Sequence, residues 1–134
     1  MTATPSGATA AARRVATYNT LSVRSDPAQV VETVAALDAG HSVLVTARRP
    51  DTVQDLVDAH PGRAVGAALD VTGRTQVDAA VAGAHAAFGG LDVLVNNAGY
   101  GYLAAVEEGD DAEVRALFDT NFFGAVDMIK AVLP

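Results

Sequence analysis

The chain has 134 residues, half of them hydrophobic, a net charge of −7 and no cysteine. That size suits one domain with a modest core, and the acidity argues against nucleic acid or an anionic membrane surface as partner. The missing cysteines exclude disulfides, thiolate nucleophiles and cysteine–zinc sites, and no apolar run can span a bilayer, so a soluble, cytoplasmic protein is the default expectation.

Residues 1–25 contain no acid and are rich in Ala, Thr, Ser and Arg. They read as an atypical, disordered segment. Organellar transit peptides, disordered tails and alanine-rich translations of GC-rich DNA share this composition. From residue 26 onward the chain alternates between two periodicities, which marks 26–134 as the folded unit. Asp26-Pro27 is a helix start, an N-cap followed by proline in the first turn. Val30, Val31, Val34 and Leu37 come next at helical spacing, and Gly40 is the stop. Ser42 to Ala47 reads as a buried strand. Pro50 opens a helix with Val53, Leu56, Val57 and His60 on one face, closed by Pro61-Gly62. Arg63 to Leu69 is a less apolar strand that suits a sheet edge. Residues 74–88 form a helix with Val77, Val81, Ala84 and Phe88 as its stripe, ended by Gly89-Gly90. Leu91 to Val95 is a strand with the β-branched content of a parallel one, and a long helix runs from about Asp110 to Leu133. Strand and helix in alternation with short loops predict an α/β fold, a doubly wound parallel sheet.

In such a sheet ligands bind beyond the carboxyl ends of the strands. Three loops there carry candidate chemistry. Arg48-Arg49 comes after the second strand, where a forked guanidinium can grip a phosphate; two solvated arginines at a helix start are the plainer alternative. Asp70-Val71 comes after the third strand, where an Asp also serves as a turn or N-cap acid. Asn96-Asn97-Ala98-Gly99 ends the Leu91–Val95 strand, with amides that can tie strands together and a bare backbone a flat ligand can approach. On the long helix, Asn121 shares a stripe with Leu117, Phe118, Ala125, Met128 and Val132, so it needs hydrogen-bond partners. His41, His60 and His85 lack ligand spacing and read as surface residues, with no metal site. Tyr100 and Tyr102 read as loop-packing aromatics more readily than as a substrate mouth.

The apolar strand ending in Asn-Asn-Ala-Gly, with Asn121-Phe122-Phe123-Gly124 on the next long helix, resembles the short-chain dehydrogenase/reductase family. The resemblance covers residues 40–134 and implies a partial Rossmann-like sheet, truncated before the catalytic half. It implies an NADP-dependent oxidoreductase moving hydride between cofactor and an alcohol or carbonyl substrate. Ala47 stands where NAD-preferring members carry Asp, and Arg48 can reach a 2′-phosphate, as in NADP-preferring members. Asp70 and Val71 would line the adenine pocket. Asn96, Ala98 and Gly99 would contact the cofactor. Asn121 would be the catalytic-tetrad Asn, its carbonyl holding a water. The 110–133 helix would serve a homo-oligomer.

Two hallmarks of the family are missing. Its phosphate loop, Thr-Gly-x-x-x-Gly-x-Gly, has no counterpart, because no glycine lies between Gly7 and Gly40. The candidate first strand, Val15 to Val23, contains Thr17, Asn19, Thr20 and Ser22, too polar for a central strand, so a gap in the sheet is expected. The catalytic Tyr-x-x-x-Lys is absent too, and Lys130 is the only lysine. The chain is thus expected to be inactive alone, to bind NADP weakly or not at all, and to self-associate through exposed Leu117, Phe118 and Met128. A non-catalytic binding or oligomerisation module is the alternative.

Overall fold

Val43, Leu44, Val45, Thr46 and Ala47 are buried in succession, as a parallel strand covered on both faces requires. The structure is a computed structural model that describes residues 11–18 and 27–134. Its strands are β1 (Arg14–Tyr18), β2 (Ser42–Ala47), β3 (Ala64–Ala68) and β4 (Val93–Asn96). Its helices are α1 (Pro27–Asp38), α2 (Gln54–Ala59, entered through a 3-10 turn at Pro50–Val53), α3 (Arg74–Phe88), α4 (Asp111–Phe118) and α5 (Ala125–Val132). All strand pairs are parallel, in the order β3-β2-β1-β4. The α/β Rossmann-like expectation holds, and β3 lies at the edge that its weaker apolarity suggested.

Alternation along β2 divides the core into two layers. Val43, Val45 and Ala47 join Leu37 of α1 and Val53 on one face. Leu44 joins Val77, Ala80, Val81 and Ala84 of α3, with Met128 of α5, on the other. Gly40 and Gly89 adopt positive φ just past the ends of α1 and α3, and the Gly89 N–H donates to the His85 carbonyl, closing α3 where the sequence suggested. The Asp26 cap and the Val30 and Val31 side chains lie outside the described residues.

The expected gap in the sheet does not exist. Arg14–Tyr18, within the segment read as disordered, is the central strand. It pairs with β2 from Arg14↔Ser42 to Tyr18↔Thr46 and with β4 from Val15↔Val93 to Tyr18↔Asn96. Two parallel ladders satisfy its backbone on both sides. A charged clamp adds to them. Arg14 donates to Asp92 from its backbone N–H (2.8 Å), from Nε (2.8 Å) and from a terminal guanidinium nitrogen (2.6 Å). The side-chain hydrogen bonds from Arg14, with its positive charge, hold the Asp92 carboxyl well below the usual carboxylate range. A depressed carboxyl contributes stability above its unfolded pKa and loses it as pH falls through the folded one. Asp92→Asn is therefore expected to lower the melting temperature at neutral pH. The difference from the parent should shrink as pH falls below about 4, and melts across pH 2–7 at constant salt check this.

The long helix expected from Asp110 to Leu133 is interrupted. It starts as expected, with Asp110 Oδ1 accepting from the N–H groups of Ala112 (2.7 Å) and Glu113 (3.3 Å). A π-helical turn at Asp119–Gly124 then separates α4 from α5. Gly124 is buried against Val71, where a Cβ would stand 2.6 Å from Val71 Cγ2. Met128, expected on the surface, is wholly buried, and Leu117 is half-buried. Phe118 is exposed, and so are Phe122 and Phe123, whose rings meet edge to face at 5.2 Å. Among the described residues, no helix is long and apolar enough to cross a membrane.

Candidate functional site

Because the strands are parallel, their carboxyl ends open on one side. Ala47 of β2 stands beside Ala68 of β3, and Tyr18 of β1 stands between Thr46 and Asn96. The chain leaves each strand there into the loops the sequence singled out. Between these loops and α4 lies a cleft of about 430 Å³, within the usual ~300–1,000 Å³ of small-molecule sites. Arg48, Asp70, Thr72, Gly99 and Tyr100 supply the strand-end wall. Glu113, Ala116, Asp119 and Thr120 supply the helical wall.

Arg48 is exposed, and its guanidinium makes no hydrogen bond or ion pair among the described residues. It is therefore available to an anion in the cleft. Asp70 is held in place locally. Its Oδ1 accepts from the Thr72 N–H (3.0 Å) and hydroxyl (2.7 Å), and its own N–H donates to Gln76 Oε1 at 2.9 Å. That turn leaves Oδ2 able to accept from an exocyclic amine. Val71, adjacent in sequence, is not brought to the cleft. It is 2 % exposed, part of the core that α3 and Met128 share, and packed against Gly124.

Of the β4 loop, Gly99 lines the cleft, while Asn96 is exposed at the strand end and Ala98 packs on the core. Asn121 is exposed rather than buried on an apolar stripe. It nevertheless has partners. Its Nδ2 donates to the Tyr100 carbonyl at 2.7 Å, and its Oδ1 accepts from the Tyr100 N–H at 3.0 Å. The π-turn is where this side chain grips the loop after β4. A Cβ on Gly99 would stand 3.0 Å from Asn121 Oδ1, so the loop and the turn are closely seated.

Tyr100 lines the cleft, whereas Tyr102 packs the loop, its hydroxyl accepting from the Asp110 N–H at 2.9 Å. Of the three histidines expected on the surface, His85 is exposed and His41 half-buried. The His60 side chain is only 15 % exposed, with Nδ1 3.0 Å from the Leu56 carbonyl. Among the described residues, no three His, Asp or Glu side chains are placed to hold a metal ion. The reading of the loops missed the α4 wall. Its signal is the spacing of Glu113, Ala116 and Thr120, which places them along one helical face.

A model of the short chain dehydrogenase family matches residues 28–134. Oxidoreductase BOA17 of Botryotinia fuckeliana is 46% identical over 101 residues, covering 75% of this chain and 37% of its own. The NADP-dependent 3-hydroxy acid dehydrogenase YdfG of Shigella flexneri is 36% identical over 101 residues, covering 73% and 40%. A short-chain dehydrogenase structure from Streptomyces avermitilis superposes with a TM-score of 0.80 at 37% identity, covering 92% of this chain and 44% of that one. The chain thus spans less than half the length of these relatives.

Proposed function

The chain belongs to the short-chain dehydrogenase family, and from that premise we propose that its cleft is the adenosine end of an NADP(H) site. The protein it represents is an oxidoreductase acting on a small alcohol or carbonyl, in the cytoplasm, and NADP(H) supplies or accepts the hydride when bound. The observation that carries this reading is the Arg48 guanidinium, without a hydrogen bond or ion pair among the described residues, on the same cleft as Asp70 and Gly99. Arg48 would pair with the ribose 2′-phosphate, and Ala47 leaves no carboxylate there to take the 2′-hydroxyl of NAD. Asp70 Oδ2 would accept from the adenine amine. Ala98 and Gly99 would offer backbone, with Asn96 at the strand end beside them. The Asn121 backbone carbonyl is proposed to hold a catalytic water, and its side chain positions the β4 loop. Residues 26–134, joined by β1, make up this partial cofactor-binding domain.

Arg48 is exposed, so its screened pairing sits at the low end of the ~1.5–3 kcal/mol for hydrogen bonds to charged groups. Titration calorimetry is expected to show NADP binding about tenfold tighter than NAD, with the preference lost in Arg48→Ala. Equal affinities in the parent, or an unchanged preference in the variant, would remove the assignment. Mixed with NADPH and a panel of carbonyls, the 134-residue chain is expected to give no turnover above a blank, since it lacks the Tyr-x-x-x-Lys acid–base pair.

A second reading has its own observation. Phe118, Phe122 and Phe123 present an exposed aromatic face, which suits a non-catalytic module that assembles through residues 110–133. Light scattering after size exclusion separates the two. Self-association that Phe118→Ser and Phe122→Ser abolish, without any nucleotide binding, favours assembly.

A further inference from the structure

The end of the sheet away from the cleft gathers charged and titratable groups around the entry to β1. Two side chains take successive backbone N–H groups there, one from each side of this central strand. On the β4 side, Asp92 Oδ2 accepts from the Arg14 N–H at 2.8 Å. The Arg14 guanidinium folds back onto the same carboxylate across Gly90, where a Cβ would stand 2.6 Å from it. On the β2 side, His41 Nδ1 accepts from the Arg13 N–H at 3.0 Å. The half-buried His41 is set in place by main chain. Its own N–H donates to the Ala36 carbonyl, and the Ser42 N–H beside it donates to the Arg13 carbonyl.

The two acceptors differ in chemistry. A carboxylate accepts down to acid pH, whereas an imidazole nitrogen accepts only while it carries no proton, and an imidazole gains that proton around pH ~6.5. A charged His41 would set an N–H against the Arg13 N–H and add a positive charge beside Arg13. The other charged groups at this end of the sheet are engaged elsewhere. Asp92 is held by Arg14, Arg63 at the entry to β3 donates to the Leu37 carbonyl, and Asp38 at the end of α1 faces His60 at 3.9 Å. Among the described residues, no carboxylate pairs with the His41 ring.

We propose that His41 is a proton-sensitive latch on the central strand: neutral, it holds the Arg13 end of β1 against β2, and charged, it releases that end. The strand it acts on is the one whose other end, Tyr18, lies between Thr46 and Asn96 on the cleft side. The stability it contributes is present while the ring is neutral and is lost as falling pH charges it. The other two histidines push the opposite way. A charge on His60 would face Asp38, and one on His85 would sit in the last turn of α3, at the negative end of the helix dipole.

Thermal melts of the 134-residue chain from pH 8 to pH 5.5 at constant salt, beside His41→Asn and His41→Phe, test this. The Asn amide oxygen stands close to the place of Nδ1 and accepts at every pH, while Phe offers no acceptor. Across this range the parent should lose about 3–5 °C relative to His41→Asn. His41→Phe should melt below the parent at pH 8, and that gap should close by pH 5.5. NMR of the parent reads the bond itself. At pH 8 the His41 ring should carry its proton on Nε2, and the Arg13 amide signal should move with the ring as it titrates. A His41→Asn variant that follows the parent's pH dependence would overturn the latch. So would a ring protonated on Nδ1 at pH 8, or an Arg13 amide that ignores the ring's titration.

Discussion

Replacing Gly124 by alanine is expected to destabilise the chain by about 1–3 kcal/mol, the usual cost of forcing extra atoms into a packed interior. The sign is the informative part. In an open helix the same change gains about 1 kcal/mol, because alanine loses less backbone freedom than glycine. Here the new Cβ would stand 2.6 Å from Val71 Cγ2, 3.0 Å from Val71 Cβ and 3.3 Å from the Asp119 carbonyl oxygen. None of these is the loose end of a long side chain, and a β-branched valine has few rotamers into which to retreat. The strain also falls on Val71, the neighbour in sequence of the cleft residue Asp70, so NADP should bind more weakly. Val71→Ala removes Cγ2 and should recover part of the loss, so the double variant should be more stable than the two single effects predict. Urea melts of the four proteins measure this. A Gly124→Ala variant more stable than the parent would show that the π-turn does not seat on Val71.

Met128→Ala is expected to cost more, about 2–5 kcal/mol, the range for truncating a wholly buried methionine. Met128 is the sole fully buried side chain of α5 among the described residues, set among Val77, Ala80, Val81 and Ala84 of α3. Small domains have a total stability of about 5–15 kcal/mol, so this one truncation removes a large share of it. The variant should melt at lower urea with an unchanged slope. A loss under about 1 kcal/mol would mean that α5 is not locked onto α3, and that the helical wall of the cleft is free to move.

How much of the fold was legible in the sequence differs from element to element, for physical reasons. β2 was legible because a strand covered on both faces is apolar at nearly every position. α3 was legible because its stripe and its glycine stop are both local. β1 was not, because Thr17 and Tyr18 blur its pattern. What makes it a strand is two ladders and the Asp92 clamp, all formed with residues far along the chain. The π-turn was invisible for the same reason, since Asn121 grips Tyr100 and Gly124 seats on Val71 only in the folded state. Its consequence was a misplaced surface. One extra residue in a helix rotates the next face by about 100°, so a stripe counted through the turn puts Phe118 and Met128 together. The structure exposes the first and buries the second. Of the site, Arg48, Asp70 and Gly99 were legible from their places after strands. Glu113, Asp119 and Thr120 looked like any solvated helix face until the fold turned them toward the cleft.

The most direct test of the adenosine site is an amide NMR titration of the isotopically labelled chain with NADP. The expected result is a set of shifts at Arg48, Asp70, Thr72, Gly99 and Tyr100 that saturate together and weaken in Arg48→Ala. Shifts confined to the Phe118–Phe123 face, or an unchanged spectrum at millimolar cofactor, would contradict it.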